Sequence, residues 1–225
     1  MELRFFEIYR KAEYLWLLAE GAMMSAAITL AGAFLGFMLA LGLAAVRYGQ
    51  VPVLKWVAAA YVEFVRNTPL IVQLFFVAFG LPLLLGYVWP FWAHAVLALT
   101  LNFSAYFAEI LRAGFTTVDE GQHDAAAALG LPRHVKFFRI VVPQAVARMY
   151  ASLNSQFIFL FLTTGVLSEI GVRDLTNAGL FIDSRTFRSF EVFATLTVLY
   201  ILISLGFKVA MRQVEVRMFR WKTAR

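Results

Sequence analysis

From Gly21 to Val46 the chain carries no charged side chain. About 20 such residues in a helix cross the hydrocarbon core of a bilayer. A run of this kind dominates what the chain can fold into, because so much apolar surface must face something other than water. Composition says the same of the whole: 61% of the residues are hydrophobic and 15% charged, against roughly half and a quarter in soluble domains. The chain reads as an all-α integral membrane protein.

About five spans are expected. The first covers 21–46, where Gly21, Ser25, Gly32, Gly36 and Ala40 form a stripe of small residues that lets another helix approach closely. The second, 53–85, is too long for one simple span and is interrupted at 67–69 by Asn67-Thr68-Pro69, where proline lacks an amide donor and crowds the preceding turn. The third covers 91–114. Pro143 is expected to open the fourth, 143–167, and the fifth covers 192–211. An N-terminal segment (1–20), a polar loop (115–142) and a basic tail (212–225) complete the chain.

Lys and Arg give the orientation. With the N-terminus outside, Arg47, Lys55, Arg112, Arg133, Lys136, Arg139, Arg148, Lys208 and the basic tail fall inside. Arg4, Arg10, Lys11, Arg173, Arg185 and Arg188 fall outside, a smaller set. The N-out, C-in arrangement follows, with the polar loop cytoplasmic, Trp16, Trp89 and Trp92 near the outer interface, and Trp56 and Trp221 near the inner one. The net charge of +6 belongs to lipid headgroups, not to nucleic acid, because the basic residues cluster at the ends of apolar runs. Absence of cysteine excludes disulfides and thiolate metal sites. No Ala-x-Ala-like site follows a short apolar core, so a cleaved signal peptide is not expected.

The polar loop contains "GQHDAAAALGLPRH" (121–134). Asp119, Glu120 and Asp124 place carboxylates at the start of a short helix. Four alanines then present almost no bulk, Gly130 suits a left-handed stop, and Pro132 prevents continuation. A second helical stretch, 133–142, sets Val135, Phe138 and Val142 on one face. Two readings fit: a smooth helix that inserts into a groove on a cytoplasmic partner, or an amphipathic connector lying on the bilayer.

With Ile140, Val142 and Pro143 following, the loop resembles the cytoplasmic signature of inner-membrane permease subunits of ATP-binding-cassette importers. Its usual Glu-Ala-Ala is Asp124-Ala125-Ala126, followed by Gly130 and Pro143. "YVEFVRNTPLIVQLFF" (61–76), "AYFAEILRAG" (105–114) and "TFRSFEVFATLTVLYILIS" (186–204) resemble the polar amino-acid branch of that family. The resemblance covers roughly residues 20–220. It implies a type-I transmembrane domain over 21–220 and a coupling helix in the loop. It further implies two ATPase subunits that carry ATP and Mg, a second permease subunit (identical or homologous), a periplasmic substrate-binding protein, and residence in the bacterial inner membrane. The chain contains no Gly-x-x-x-x-Gly-Lys-Ser/Thr loop, so it is read as a transport subunit, not an enzyme, with no cofactor of its own. One departure concerns the fourth span, where Leu162-Thr163 stand in place of the family's frequent Lys-Asp.

Charged and polar groups within the spans mark candidate sites. Glu63/Arg66 and Glu109/Arg112 repeat the same i,i+3 spacing, and an unpaired charge at such depth is costly. A four-membered network at a gate is one reading, and two independent interfacial pairs the other. Ser152, Ser155, Gln156 and Thr163 share a stripe, Asn102, Tyr106 and Glu109 share another, and Gln73 follows the break. These residues could line a pathway for a polar amino acid, or hydrogen-bond between helices without touching substrate. His94, His123 and His134 lack metal-ligand spacing and are expected at interfaces. The alternative function is a secondary transporter that uses Glu63 or Glu109 as a proton relay.

Overall fold

The computed structural model describes residues 3–219. Met1 and Glu2, and Arg220, Trp221, Lys222 and Arg225 of the basic tail, lie outside them. All elements are helical: α1 (Phe6–Tyr9), α2 (Ala12–Tyr48), α3 (Leu54–Arg66), α4 (Leu70–Leu85), α5 (Phe91–Phe115), α6 (Glu120–Ala128), α7 (Arg133–Ile170), α8 (Leu175–Thr186) and α9 (Ser189–Met218). Among the described residues, α2, α5, α7 and α9 are long and apolar enough to cross a membrane. The pair α3/α4, bent by 107°, makes a fifth span if taken as one.

The bend falls where Asn67-Thr68-Pro69 was expected to break the helix. Side chains there replace the lost helical bonds. Asn67 Nδ2 donates to the Glu63 carbonyl (2.7 Å), Thr68 Oγ1 to Phe64 (2.7 Å), and Gln73 Nε2 to Val65 (2.8 Å) and Thr68 (3.0 Å).

Two helices extend beyond their expected bounds. α2 begins at Ala12, not Gly21, because nothing breaks the helix there and Tyr14 and Leu18 are buried in a small cluster with Leu175, Ile182 and Val192. α7 begins at Arg133, so Pro143 lies inside it and does not open it. An interior proline cannot donate to the preceding turn and crowds it. A widened π turn over Phe137–Val141 immediately precedes Pro143 and adjusts the ladder at that point.

α5 is the central helix, and α2 packs along it. Lipid tails are as apolar as leucine, so this association depends on close packing, which the small-residue stripe permits. A Cβ on Gly32 would stand 3.2 Å from that of Leu99, and one on Gly36 would stand 3.3 Å from the Thr100 carbonyl oxygen.

At the end of the bundle away from α6, Asp174 lies where α8 meets α2. It caps α8 by accepting from the Asn177 N–H (2.9 Å). Its carbonyl oxygen lies 2.7 Å from where a Cβ on Gly21 would sit. Ser25 Oγ accepts from the Leu175 N–H (3.1 Å). Asp174 is fully buried and its Oδ2 has no partner. Burial pushes this carboxyl from 3.8 up to about 6. The folded protein therefore holds the proton more tightly than the unfolded chain, and stability from this group falls as pH rises from about 4 to about 6. Asp174→Asn keeps a capping oxygen without the charge. It is expected to raise thermal stability in detergent near about pH 7.5, by up to about 3 kcal/mol, and to leave it little changed near about pH 4. Equal shifts at both pH values would contradict this account.

Candidate functional site: a presented loop helix and a polar cavity at the helix break

α6 is built by its own sequence. Asp119 caps it by accepting from the Gly121 N–H (2.8 Å). Gly130, at φ +64°, stops it: its N–H donates to Ala127 (2.9 Å), and the Leu131 N–H donates to Ala126 (3.1 Å). That pair of bonds satisfies the last carbonyls of the helix. Because α6 opens at Glu120, Asp124 sits in its interior and not in the first turn, so Asp119 and Glu120 alone meet the positive end of the dipole. Ala126 is buried, whereas Asp124, Ala125, Ala127, Ala128 and Leu129 are exposed. One face thus anchors the helix and the other is presented to the outside.

Two spans hold the anchored face. Gln144 of α7 donates to Gln122 (3.2 Å), and the Tyr48 hydroxyl at the end of α2 lies 3.4 Å from His123 Nε2. The Tyr48 ring packs against Phe115 (5.5 Å) and Phe137 (6.1 Å). Phe138, expected on the packed face with Val135 and Val142, is exposed instead, and Phe137 turns inward. The π turn changes the angular step, so the 3.6-residue periodicity does not carry across it.

The charges form a different set from the expected four. Glu109 joins two arginines: Arg47 Nη1 donates to its Oε2 (2.8 Å), and Arg112 donates to Oε1 through Nε (3.0 Å) and Nη2. Glu63 and Arg66 are outside this triad. Glu63 accepts from Asn67 Nδ2 (3.3 Å), while the Arg66 guanidinium stands over the Tyr106 ring at 5.8 Å. Both lie on α3 before the break, but Asn67 at the break takes Glu63 and Arg66 faces Tyr106 of α5, while the end of α2 supplies Arg47 to Glu109. Arg47 was missed as a site residue because a basic residue at the end of a span looks like a headgroup contact.

At the break lies a cavity of about 500 Å³, lined by Arg66, Asn67, Thr68, Pro69, Leu70, Asn102, Phe103, Tyr106, Phe159 and Thr163. Asn102 Nδ2 donates to Gln73 Oε1 (3.0 Å), so Gln73 supports the cavity from behind while holding the broken turn. Of the expected pathway residues, Asn102, Tyr106 and Thr163 meet here. Ser152 and Ser155 are exposed and, like Gln156, do not line this cavity. Asn67 was read only as part of the break, and the fold makes it a cavity wall.

His94 departs from its interfacial expectation. It is 2% exposed and stacked on Tyr87, with ring centroids 5.7 Å apart, because the turn before α5 folds Tyr87 and Trp89 over it. Among the described residues no group of acidic, histidine or cysteine side chains has metal-ligand geometry.

Several apolar spans, a bent pair with a polar cavity at its break, and a short capped helix held at one end define a multi-pass membrane permease. Residues 32–220 match the family described as "Binding-protein-dependent transport system inner membrane component", and the chain belongs to that family. It is 35% identical over 195 residues to the L-cystine transport system permease protein TcyL of Bacillus subtilis, covering 84% of this chain and 81% of that one. It is 33% identical over 204 residues to the glutamine transport system permease protein GlnP of Escherichia coli, covering 90% and 93%. A solved structure described as an amino acid ABC transporter with histidines superposes with a TM-score of 0.84 at 32% identity, covering 96% of this chain and all (100%) of that one. The chain is a permease subunit of an ATP-binding-cassette importer.

Proposed function

We propose that this subunit forms the translocation pathway of an ATP-driven importer for a polar amino acid, working in the bacterial inner membrane as one of two permease subunits. Two ATPase subunits dock on α6 from the cytoplasm, where the N-out, C-in orientation places it, and a periplasmic binding protein delivers the amino acid. The observation that carries this reading is the division of α6 into two faces. Asp124, Ala125 and Ala127–Leu129 are presented outward, while Ala126 is buried and Gln122 and His123 link the helix to α7 and α2. A force applied to such a helix reaches two spans at once. ATP and Mg belong to the ATPase, whose closure would move α6 and switch the cavity at the break between the two sides. Asp124 is one methylene shorter than the usual glutamate and keeps the charge at the docking face.

The proton-relay alternative loses one of its two carboxylates, because Glu109 is engaged by two guanidinium groups. Co-expression with the partner ATPase, purification in mild detergent and reconstitution with the binding protein test the proposal. Uptake of a polar amino acid should require ATP and survive an uncoupler. Uptake abolished by the uncoupler and indifferent to ATP would favour the relay.

A further inference from the structure

Arg66 is the cavity's only charged lining residue, and among the described residues it has no ion-pair partner. The nearest carboxylate in sequence, Glu63, is held by Asn67 and does not line the cavity. Arg66 is exposed at the cavity, and a cation at this depth in a span favours an anionic partner. The guanidinium also has an aromatic neighbour. Its Cζ stands 5.8 Å from the centroid of the Tyr106 ring, and a guanidinium can give two parallel N–H bonds to a carboxylate.

The remaining polar lining is neutral: Asn67, Thr68, Asn102, Tyr106 and Thr163. These groups offer oxygens to an ammonium and a hydrogen-bonding wall to a polar side chain, but no carboxylate to pair a second cation. We propose that Arg66 holds the substrate's carboxylate and that the cavity therefore accepts α-amino acids with uncharged polar side chains and rejects cationic ones. This inference rests on the reading of the cavity as the translocation pathway. Charge decides the selectivity: a cationic side chain would bring an unpaired positive charge beside Arg66, whereas an uncharged one needs only the neutral wall. Thr163 is then the position where one substitution changes the class of substrate, since Thr163→Asp adds the missing carboxylate.

The test uses the complex with its ATPase in nanodiscs, without the binding protein, so that selection by the permease is read alone. Radiolabelled glutamine is the probe, and glutaminamide, in which the carboxylate is replaced by an amide, and arginine are the competitors. Glutaminamide and arginine are each expected to compete about ten- to hundredfold more weakly than glutamine, the range for losing or misplacing a charge-assisted hydrogen-bonded pair. Arg66→Gln should erase the preference for glutamine over its amide, Arg66→Lys should keep part of it, and Thr163→Asp should narrow the gap between glutamine and arginine. Equal competition by the amide, or an Arg66→Gln variant that still prefers the free carboxylate, overturns the inference. So does a complex with intact ATP-driven uptake that binds none of the three. Nanodiscs with and without anionic lipid separate the two possible sources of anion: glutamine affinity that falls as anionic lipid is added assigns Arg66 to a headgroup and overturns the proposal. Absence of ATP-driven uptake of any amino acid by proteoliposomes supplied with the binding protein defeats the underlying transport reading instead.

Discussion

Glu109→Ala is expected to destabilise the purified subunit by about 2–4 kcal/mol and to abolish coupled uptake. The carboxylate is the shared acceptor of Arg47 and Arg112, and its loss leaves two guanidinium groups facing one another between α2 and α5. Breaking a fully buried ion pair costs about 3–5 kcal/mol. These side chains retain between 16% and 40% of their exposure, which lowers the figure. Thermal unfolding in detergent measures the loss. Glu109→Gln keeps one acceptor oxygen without the charge and should fall between wild type and alanine. The pairing has its own check: the effects of Glu109→Ala and Arg47→Ala should be strongly non-additive. Simple additivity would show that the contact between them carries little energy.

Gly130→Pro should remove the docking helix while leaving the spans in place. The native φ of +64° is unavailable to proline, and the substitution also deletes the N–H that donates to Ala127. α6 would lose its stop and the orientation of its outward face. The expected result is at least a tenfold drop in co-purifying ATPase, with subunit yield and monodispersity preserved, because nothing packs within 4 Å of a Cβ at this position. Gly130→Asn separates backbone conformation from the simple presence of a side chain. Asparagine tolerates the left-handed region and should retain most of the ATPase, whereas retention by the proline variant would contradict docking through α6.

Much of this protein was legible before any coordinates. Long uncharged runs must be helices in lipid, the proline at 69 must bend one of them, and the order Asp119, four alanines, Gly130, Pro132 must make a short, stopped helix. Each of these rests on local physics: backbone satisfaction, a missing donor, a left-handed turn. The failures share a cause of a different kind. Pro143 was read as a helix start, which local rules favour, but α7 passes through it by widening into a π turn. The same turn replaced Phe138 by Phe137 in the packed cluster. His94 was assigned to an interface by its place in the chain, and the fold covered it with Tyr87 and Trp89.

The charges show the division most clearly. Equal spacing made Glu63/Arg66 and Glu109/Arg112 look like two halves of one device. On a straight helix i,i+3 partners do meet, and Glu109 with Arg112 does so. The other pair lies at the end of α3, just before the bend of 107°, where Asn67 takes Glu63 and Arg66 stands at the cavity wall beside Tyr106. The sequence by itself determined the helices, the break and the presented loop, because those depend on neighbours along the chain. Only the tertiary structure decided that Glu109 would take Arg47 from another helix and that Arg66 would remain without a carboxylate. Ion pairs between helices are chosen by where packing brings distant residues together, and no spacing within a helix records that.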